Sequence, residues 1–405
     1  MPETREGRRV GGPGPLSDRG VRLATGARRV DVAIIGAGPV GAMVAALCPA
    51  AVETALYEAR DGPARDARTL ALSHSSRMMI GEAKAWPEAS VTPITTLHIS
   101  QKGGPGRTVI RASEQGIPAL GYTVGYAKLQ ESLDARLAGA KVPVHYGKRC
   151  DDIRLDQEAA HVRFESGESI EAKLLVLADG GANALRIPGI SFREKDYGQV
   201  AVVAAVHSDR PHEGRAWERF TPTGPMALLP VESRFALVWT TDPAGAERLL
   251  GLEEAAFLAQ LQERFGDRAG RFTKVASRAS FPLKLRAVNA PVALRTVIVG
   301  NAAQALHPIA GQGLNLGLRD AATLADLLAR SSVDSVGGKA MLDEYHDLRR
   351  RDASRGIAFT DFLVGAFADS RRIPTWGRGL GLALLDLVPP ARRLLAERMI
   401  RGASS

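Results

Sequence analysis

Cysteine is nearly missing from this chain, with only Cys48 and Cys150 among 405 residues. Two such thiols build no disulfide framework and match no metal-ligand spacing, so a reducing cytoplasm is the expected compartment. The histidines stand singly, which gives no reason to expect a protein-bound metal. Long apolar runs are missing too: none approaches the roughly 20 residues that a membrane-spanning helix needs. Residues 1–29, beginning MPETREGRRVGGPGPLSDRG, are basic but lack the apolar segment of a secretory signal. Their glycine, proline and arginine content predicts a disordered leader. The net charge of +9 comes without any nucleic-acid motif. Nucleic acid is therefore not an expected partner, and the excess favours phosphates, nucleotides or an acidic membrane surface. What is present, 45% hydrophobic and 24% charged residues, is the composition of a soluble globular protein. The length allows two or three packed regions.

The run Val30–Ile35 reads as a β-branched strand that ends in a glycine cluster. Gly36, Gly38 and Gly41 form G-x-G-x-x-G ahead of a helical stretch, and a second strand, Thr54–Tyr57, ends at Glu58. In such a unit the first glycine permits the tight turn and the second lets a pyrophosphate approach the backbone. The third lets helix pack on strand. The helix N-terminus offers free N–H groups and a positive dipole end, and Glu58, 17 residues past Gly41, can accept from ribose hydroxyls. Strand, glycines, helix, strand and acid in this order predict dinucleotide binding. They do not separate FAD from NAD. Pro49 should end the helix early.

Two further strands close on small polar residues: LLVLADG at Asp179-Gly180, and TVIVGN at Gly300-Asn301. Fully apolar strands of this kind belong to parallel sheets buried on both faces, whose carboxyl ends line the ligand crevice. Asp179-Gly180 also reads as a plain turn. After Asn301, whose amide can bond a polyol hydroxyl, comes AAQALHPIAGQG. Pro308 blocks helix formation there. Gly311-Gln312-Gly313 presents bare backbone, and a helix over about 314–330 aims its N-terminus at the ligand. A flavin ring, negatively charged near N1 and O2 when reduced, suits such a wall.

Together, G-x-G-x-x-G with Glu58, the internal ADG, and GNAAQALHPIAGQGLNLGLRD resemble the single-component flavin-dependent aromatic hydroxylases. The nearest likeness is to the ubiquinone-biosynthesis group typified by 2-polyprenyl-6-methoxyphenol hydroxylase. ARTLALSHSSRMMI, FTPTGPMALLP and TDFLVGAF…GRGLGLALLDLVPPARRLLA are similar to segments of that group. The resemblance covers about residues 30–400. It implies that Gly36, Gly38, Gly41 and Glu58 hold the ADP half of FAD, and that Asp179 serves FAD and NAD(P)H. Gln130 falls where such proteins place a flavin-contacting glutamine. Arg68 approaches the pyrophosphate or the nicotinamide nucleotide. Asn301 stands where the wider family has an aspartate on the ribityl chain, and Pro308, Gly311, Gln312, Gly313, Leu314 and Asn315 form the flavin-facing turn. Tyr126 occupies a place where many relatives have arginine. No second G-x-G-x-x-G follows, which fits NAD(P)H docking transiently as a co-substrate.

The implied fold is α/β: a Rossmann-type FAD-binding domain with an inserted antiparallel β substrate domain and a helical C-terminus. The expected FAD domain is discontinuous, over residues 30–92, 120–187 and 292–335. The substrate domain takes 93–119 and 188–291, and the helical region 336–405. Within the insert, QVAVVAAVHS, RAWERF, MALLP and RFALVWT read as antiparallel strands, with LEEAAFLAQLQERFG as an amphipathic helix beside them. Met226, Leu228 and Trp239 are the pocket walls chosen from this pattern. His307 reads either as a base for a phenol or as a packed histidine beside a proline turn, so no catalytic residue is assigned. The arginine-rich tail from Arg371 reads either as a solvated face or as a basic amphipathic element on an acidic membrane or a partner enzyme of the ubiquinone pathway. The implied reaction is hydroxylation of a polyprenylated phenol: NAD(P)H reduces FAD, O₂ adds at flavin C4a, and the hydroperoxide gives one oxygen to the ring. A related flavoprotein acting on another ring position or a soluble aromatic is the enzymatic alternative, and a non-catalytic escort for a prenyl lipid is the alternative of another class.

Overall fold

The computed structural model describes residues 27–64, 66–102, 107–305 and 312–368, with the side chains of Ala353 and of 357–368 left out. The leader up to residue 26, His307, Pro308, Gly311 and the tail from Arg371 lie outside the described residues.

Arg28–Ile35 is the centre of a parallel sheet. Thr54–Tyr57 and then Val144–His145 lie on one side of it, and Ser169–Leu177 and then Thr296–Ile298 on the other. The strands are apolar throughout because alternate side chains enter two different cores. Val32 and Ile34 face helices α1 (Pro39–Leu47), α2 (His74–Glu82) and α3 (Tyr126–Gly139), whereas Ala33 and Ile35 meet Phe164 of an antiparallel hairpin on the opposite face. Helix α1 starts with Pro39 in its first turn and stops at Leu47, just before Pro49. Each fully buried Leu or Ile of these cores contributes about 1.5–3 kcal/mol.

Among the described residues a second, eight-stranded sheet runs in the order Gln304–Ala305, Phe272–Val288, Phe192–Ser208, Arg234–Thr241, Gly224–Val231, Arg215–Thr221, Thr96–Gln101, Arg107–Arg111. Its pairings are antiparallel with one exception. The strands of QVAVVAAVHS, RAWERF, MALLP and RFALVWT pair antiparallel as expected. Thr96–Gln101 joins Arg215–Thr221 in parallel, because it arrives from a distant part of the chain and no hairpin dictates its direction. Helices α4 (Pro243–Gly251) and α5 (Glu254–Phe265) cover one face of this sheet, and the other face is turned towards the first. Thr69–Ser73, Gly121–Gly125 and Val91–Ile94 form a small third sheet.

Helix α6 (Gln312–Arg330) packs on α1, and α7 (Lys339–Ala368) packs on α6. The α1–α6 contact is close because Gly317 has no side chain. A Cβ there would stand 2.8 Å from Val40 Cγ2 and 2.9 Å from Gly300 Cα. Among the described residues no helix is long and apolar enough to cross a membrane. Gly317→Ala is expected to destabilise the protein by about 1–3 kcal/mol in urea unfolding. Gly81→Ala, on α2 with no atom within 4 Å of the new Cβ, is expected to be neutral or to stabilise by up to about 1 kcal/mol.

Candidate active site

A cavity of about 850 Å³ runs from the carboxyl ends of the parallel strands to the uncovered face of the second sheet. At one end stands the glycine turn. Gly36 has φ +104°, and a Cβ on it would stand 2.6 Å from the Ala178 carbonyl oxygen; one on Gly41 would stand 2.0 Å from the Gly36 oxygen. Those two glycines are required by the fold itself. Gly38 is different, because its Cβ would meet only Tyr126 Oη at 3.5 Å, within the cavity. The first turn of α1 has no side-chain cap and no acidic residue. Its amides and its dipole therefore face open space, as an anion site requires.

Glu58 lies at the end of its strand as expected. Its Oε2 accepts from the Ala37 N–H at 2.9 Å and from Arg60 Nη2 at 2.9 Å; its Oε1 accepts from Arg60 N and Nε, both at 3.0 Å. Burial raises this carboxyl, but the bonds from Arg60 and Ala37 outweigh burial and hold it below its ordinary range. Arg60, a residue that the motif reading passed over, thus bonds both oxygens of this carboxylate. Arg68 lines the cavity, pairs with Asp66, and lies over the Tyr126 ring at 5.7 Å. Gln130 is placed differently. It is absent from the large cavity and borders a separate depression, where Nε2 donates to the Ala37 carbonyl at 3.0 Å and to Asp134 at 2.8 Å. It braces the turn from behind.

Asp179 lines the cavity and caps its own turn, accepting from the N–H groups of Gly181 and Asn183 and from Asn183 Nδ2. Asn301, Gln312, Gly313, Leu314 and Asn315 come together on the same wall. The Asn315 amide, however, ties α6 to a neighbouring strand: Oδ1 accepts from Ser73 N–H at 2.8 Å and Ser76 Oγ at 2.6 Å, and Nδ2 donates to the Ala71 carbonyl at 3.0 Å.

Asp320, missed by sequence reading, holds this wall in place. Its Oδ2 accepts from Gly300 N–H at 2.9 Å and Gln304 Nε2 at 2.7 Å, and its Oδ1 from Arg349 Nε at 2.7 Å. Arg349 also reaches Asp352 at 2.6 Å, and Asp352 accepts from Arg319 at 2.8 Å. Burial works against the Arg349 charge, but Asp320, Tyr345 and Asp352 hold it firmly protonated. The signal was available: Asp320 falls on the same helical stripe as Leu316, Leu324 and Leu327, where a charge is out of place.

The far end of the cavity corrects the pocket walls expected from sequence. Met226, Leu228 and Trp239 are buried against α4 and α5. Pro225, Ala227, Leu229, Val238 and Thr240 line the cavity instead. Strand side chains alternate, so a choice displaced by one residue selects the opposite face. Cys150 lines the cavity and Cys48 does not; burial pushes both thiols up to about 11, which leaves them protonated.

A profile described as FAD binding domain matches residues 29–360. Ubiquinone hydroxylase UbiL of Rhodospirillum rubrum is 33% identical over 394 residues, covering 94% of this chain and 91% of that protein. The chain belongs to the FAD-binding domain family. The flavoprotein is also 30% identical to the 3-demethoxyubiquinol 3-hydroxylase of Escherichia coli over 378 residues, covering 87% and 93% of the two chains. Among solved structures, p-nitrophenol 4-monooxygenase PnpA of Pseudomonas putida has the same fold, with a TM-score of 0.74 and 18% identity over 93% of this chain and all of that one. The cofactor is FAD, and the open cradle at Gly38, with the uncapped helix behind it, fits a pyrophosphate.

Arg349→Leu leaves two buried carboxylates without their shared cation. We expect it to lower the unfolding free energy by about 3–5 kcal/mol. Arg330→Leu removes an exposed arginine of α6 and is expected to leave the unfolding midpoint nearly unchanged. Chemical denaturation of the two variants checks the contrast.

Proposed function

We propose that this FAD-dependent monooxygenase hydroxylates the aromatic ring of a polyprenylated phenol, of the 2-polyprenyl-6-methoxyphenol type, in ubiquinone biosynthesis. NAD(P)H and O₂ are the co-substrates. The observation that carries the reading is the continuity of one cavity, polar at the glycine turn and floored by Leu97, Ala227, Leu229 and Val238 at its far end. An apolar floor of small and branched side chains suits a ring with a hydrocarbon substituent. The similarity to a ubiquinone hydroxylase and to a demethoxyubiquinol hydroxylase over nearly the whole chain supports the same substrate class.

In this reading Gly36, Gly38 and Gly41 with the start of α1 take the pyrophosphate, and Glu58 takes the adenosine ribose. Arg68 lies beside the phosphates. Asp179 serves FAD and NAD(P)H, Asn301 bonds the ribityl chain, and the backbone from Gln312 to Asn315 faces the flavin ring. Gln130 acts through the Ala37 carbonyl. FAD bound here supplies the activation of O₂ by its reduced ring, and the flavin carries the hard step. The chain's own work is to orient the phenol, exclude water from the apolar end and handle the phenol's proton. The FAD-binding part is then discontinuous, over 30–92, 120–187 and 292–335, with the substrate part at 93–119 and 188–291.

Gly38→Val should abolish flavin binding while the far-UV circular dichroism stays unchanged. Full flavin content in that variant would mean that the pyrophosphate lies elsewhere. The substrate is tested by mass spectrometry of quinone lipids in cells lacking the protein. Loss of ubiquinone with build-up of one polyprenyl-phenol is expected. Unchanged ubiquinone, in cells with no redundant hydroxylase, would assign the enzyme to another aromatic compound.

A further inference from the structure

One ionisable side chain of the cavity has no structural employment. Glu218 lies in the strand Arg215–Thr221, where alternation places it on the cavity face with Ala216. Trp217 and Arg219 take the other face: Trp217 stacks on His98 at 4.2 Å, and Arg219 bonds the Arg264 carbonyl at 3.2 Å and Ser100 at 3.4 Å. Across the sheet Glu218 is level with Ala227 on one side and Ile99 on the other. Around it the floor consists of Leu97, Ile110, Leu229 and Val238. No hydrogen bond or ion pair to Glu218 occurs among the described residues. Every other acid of the wall considered above is engaged, Glu58 by Arg60 and Asp179 by its own turn.

A carboxyl in such a place works against stability, because nothing in the protein compensates its desolvation. A leucine or glutamine would serve the fold better, so a ligand is the partner that accounts for the acid. We propose that Glu218 is the general base of the reaction, accepting the proton of the substrate's phenolic hydroxyl. This rests on the reading of the substrate as a phenol. In the step, the phenol O–H bond breaks, an O–H bond forms on a Glu218 oxygen, and the negative charge passes to the ring oxygen. The phenolate is the better nucleophile toward the electrophilic oxygen that the flavin supplies. When the hydroxylated ring rearomatises, its ring proton goes to the second oxygen atom of O₂, which leaves as water, and Glu218 returns its own proton to the phenolic oxygen.

Burial alone pushes the Glu218 carboxyl up to about 8. That lies nearer to a phenol, at about 10, than an ordinary carboxylate does, and a matched base is the effective one. The neighbouring strands Gly224–Val231 and Thr96–Gln101 bring no titratable side chain to this face. Helix α7 also packs against the strands Arg215–Thr221 and Gly224–Val231; in its segment 357–368 the titratable residue is Asp361. Because the folded carboxyl is raised, the base is protonated and idle below about pH 8 and becomes available above it.

The test uses flavin-loaded wild type, Glu218→Gln and Glu218→Asp, with 2-geranyl-6-methoxyphenol as substrate. Product formation by the wild type should rise with pH to a plateau above about 8. Glu218→Gln should be slower by at least about a hundredfold, with its rise displaced towards the phenol's own ionisation. Glu218→Asp should keep the limb and part of the rate. A Glu218→Gln enzyme that keeps both rate and limb would overturn the proposal. A second measurement needs no turnover: quenching of flavin fluorescence by the phenol and by its O-methyl ether. The wild type should prefer the phenol at least about tenfold, and Glu218→Leu should bind the two alike. Binding with preference but without product means that the substrate reading has failed and the proton acceptor stands. Equal binding of phenol and ether by the wild type, or binding of neither, rejects Glu218 as the acceptor.

Discussion

The cofactor wall depends on a carboxylate sealed in the core. Asp320 is 2% exposed, and a charge so placed is tolerable only when its acceptor sites are filled and a cation stands beside it. The groups that fill them come from three separate places: the Gly300 amide at a strand end, the Gln304 side chain, and Arg349 of α7. The demand of one buried charge thus fixes how the strand end, α6 and α7 sit together. Asn301 reaches the cavity because the backbone on its N-terminal side is held. Gly317 contributes from the opposite side by letting α6 approach Val40.

The cavity has two walls with different chemistry. The ends of parallel strands present backbone amides, small polar side chains and a helix N-terminus, a surface suited to a charged, hydroxylated ligand. The second sheet presents one face of alternating side chains whose other face is filled by Trp217, Trp239 and Phe257. Those aromatic rings make the floor rigid from behind, and the cavity side is left to smaller residues. Ala216 and Ala227 leave room beside Glu218, so the acid is not shielded by its neighbours in the sheet.

Much of this was legible in the sequence. The strand Arg28–Ile35 and the glycine turn follow from local rules, because a β-branched run and a left-handed glycine leave the chain few choices. The strand that ends just before Asp179 and the start of α6 followed from the same reasoning. What escaped was whatever depends on which face of an element meets which neighbour. Met226 and Ala227 adjoin in a strand with equal claims until the sheet's partner is known. Asp320 announced itself as a charge on an apolar stripe, but its partner Arg349 comes 29 residues later, and no local pattern links them. Gln130 stands one step behind the turn that it supports, a distinction carried only by distances. Glu218 reads in sequence as an ordinary strand acid. It becomes conspicuous once Ala227, Leu229 and Val238 surround it.

The bonds on Glu58 bear on how the rim of the cavity is held. Its Oε2 accepts from the Ala37 amide in the glycine turn, and Arg60, two residues further along the chain, fills the rest of its acceptor capacity. One carboxylate thus staples the turn after the first strand to the segment after the second. The guanidinium that balances it is 41% exposed, so the negative charge is neutralised from the solvent side and the interior holds no unpaired ion.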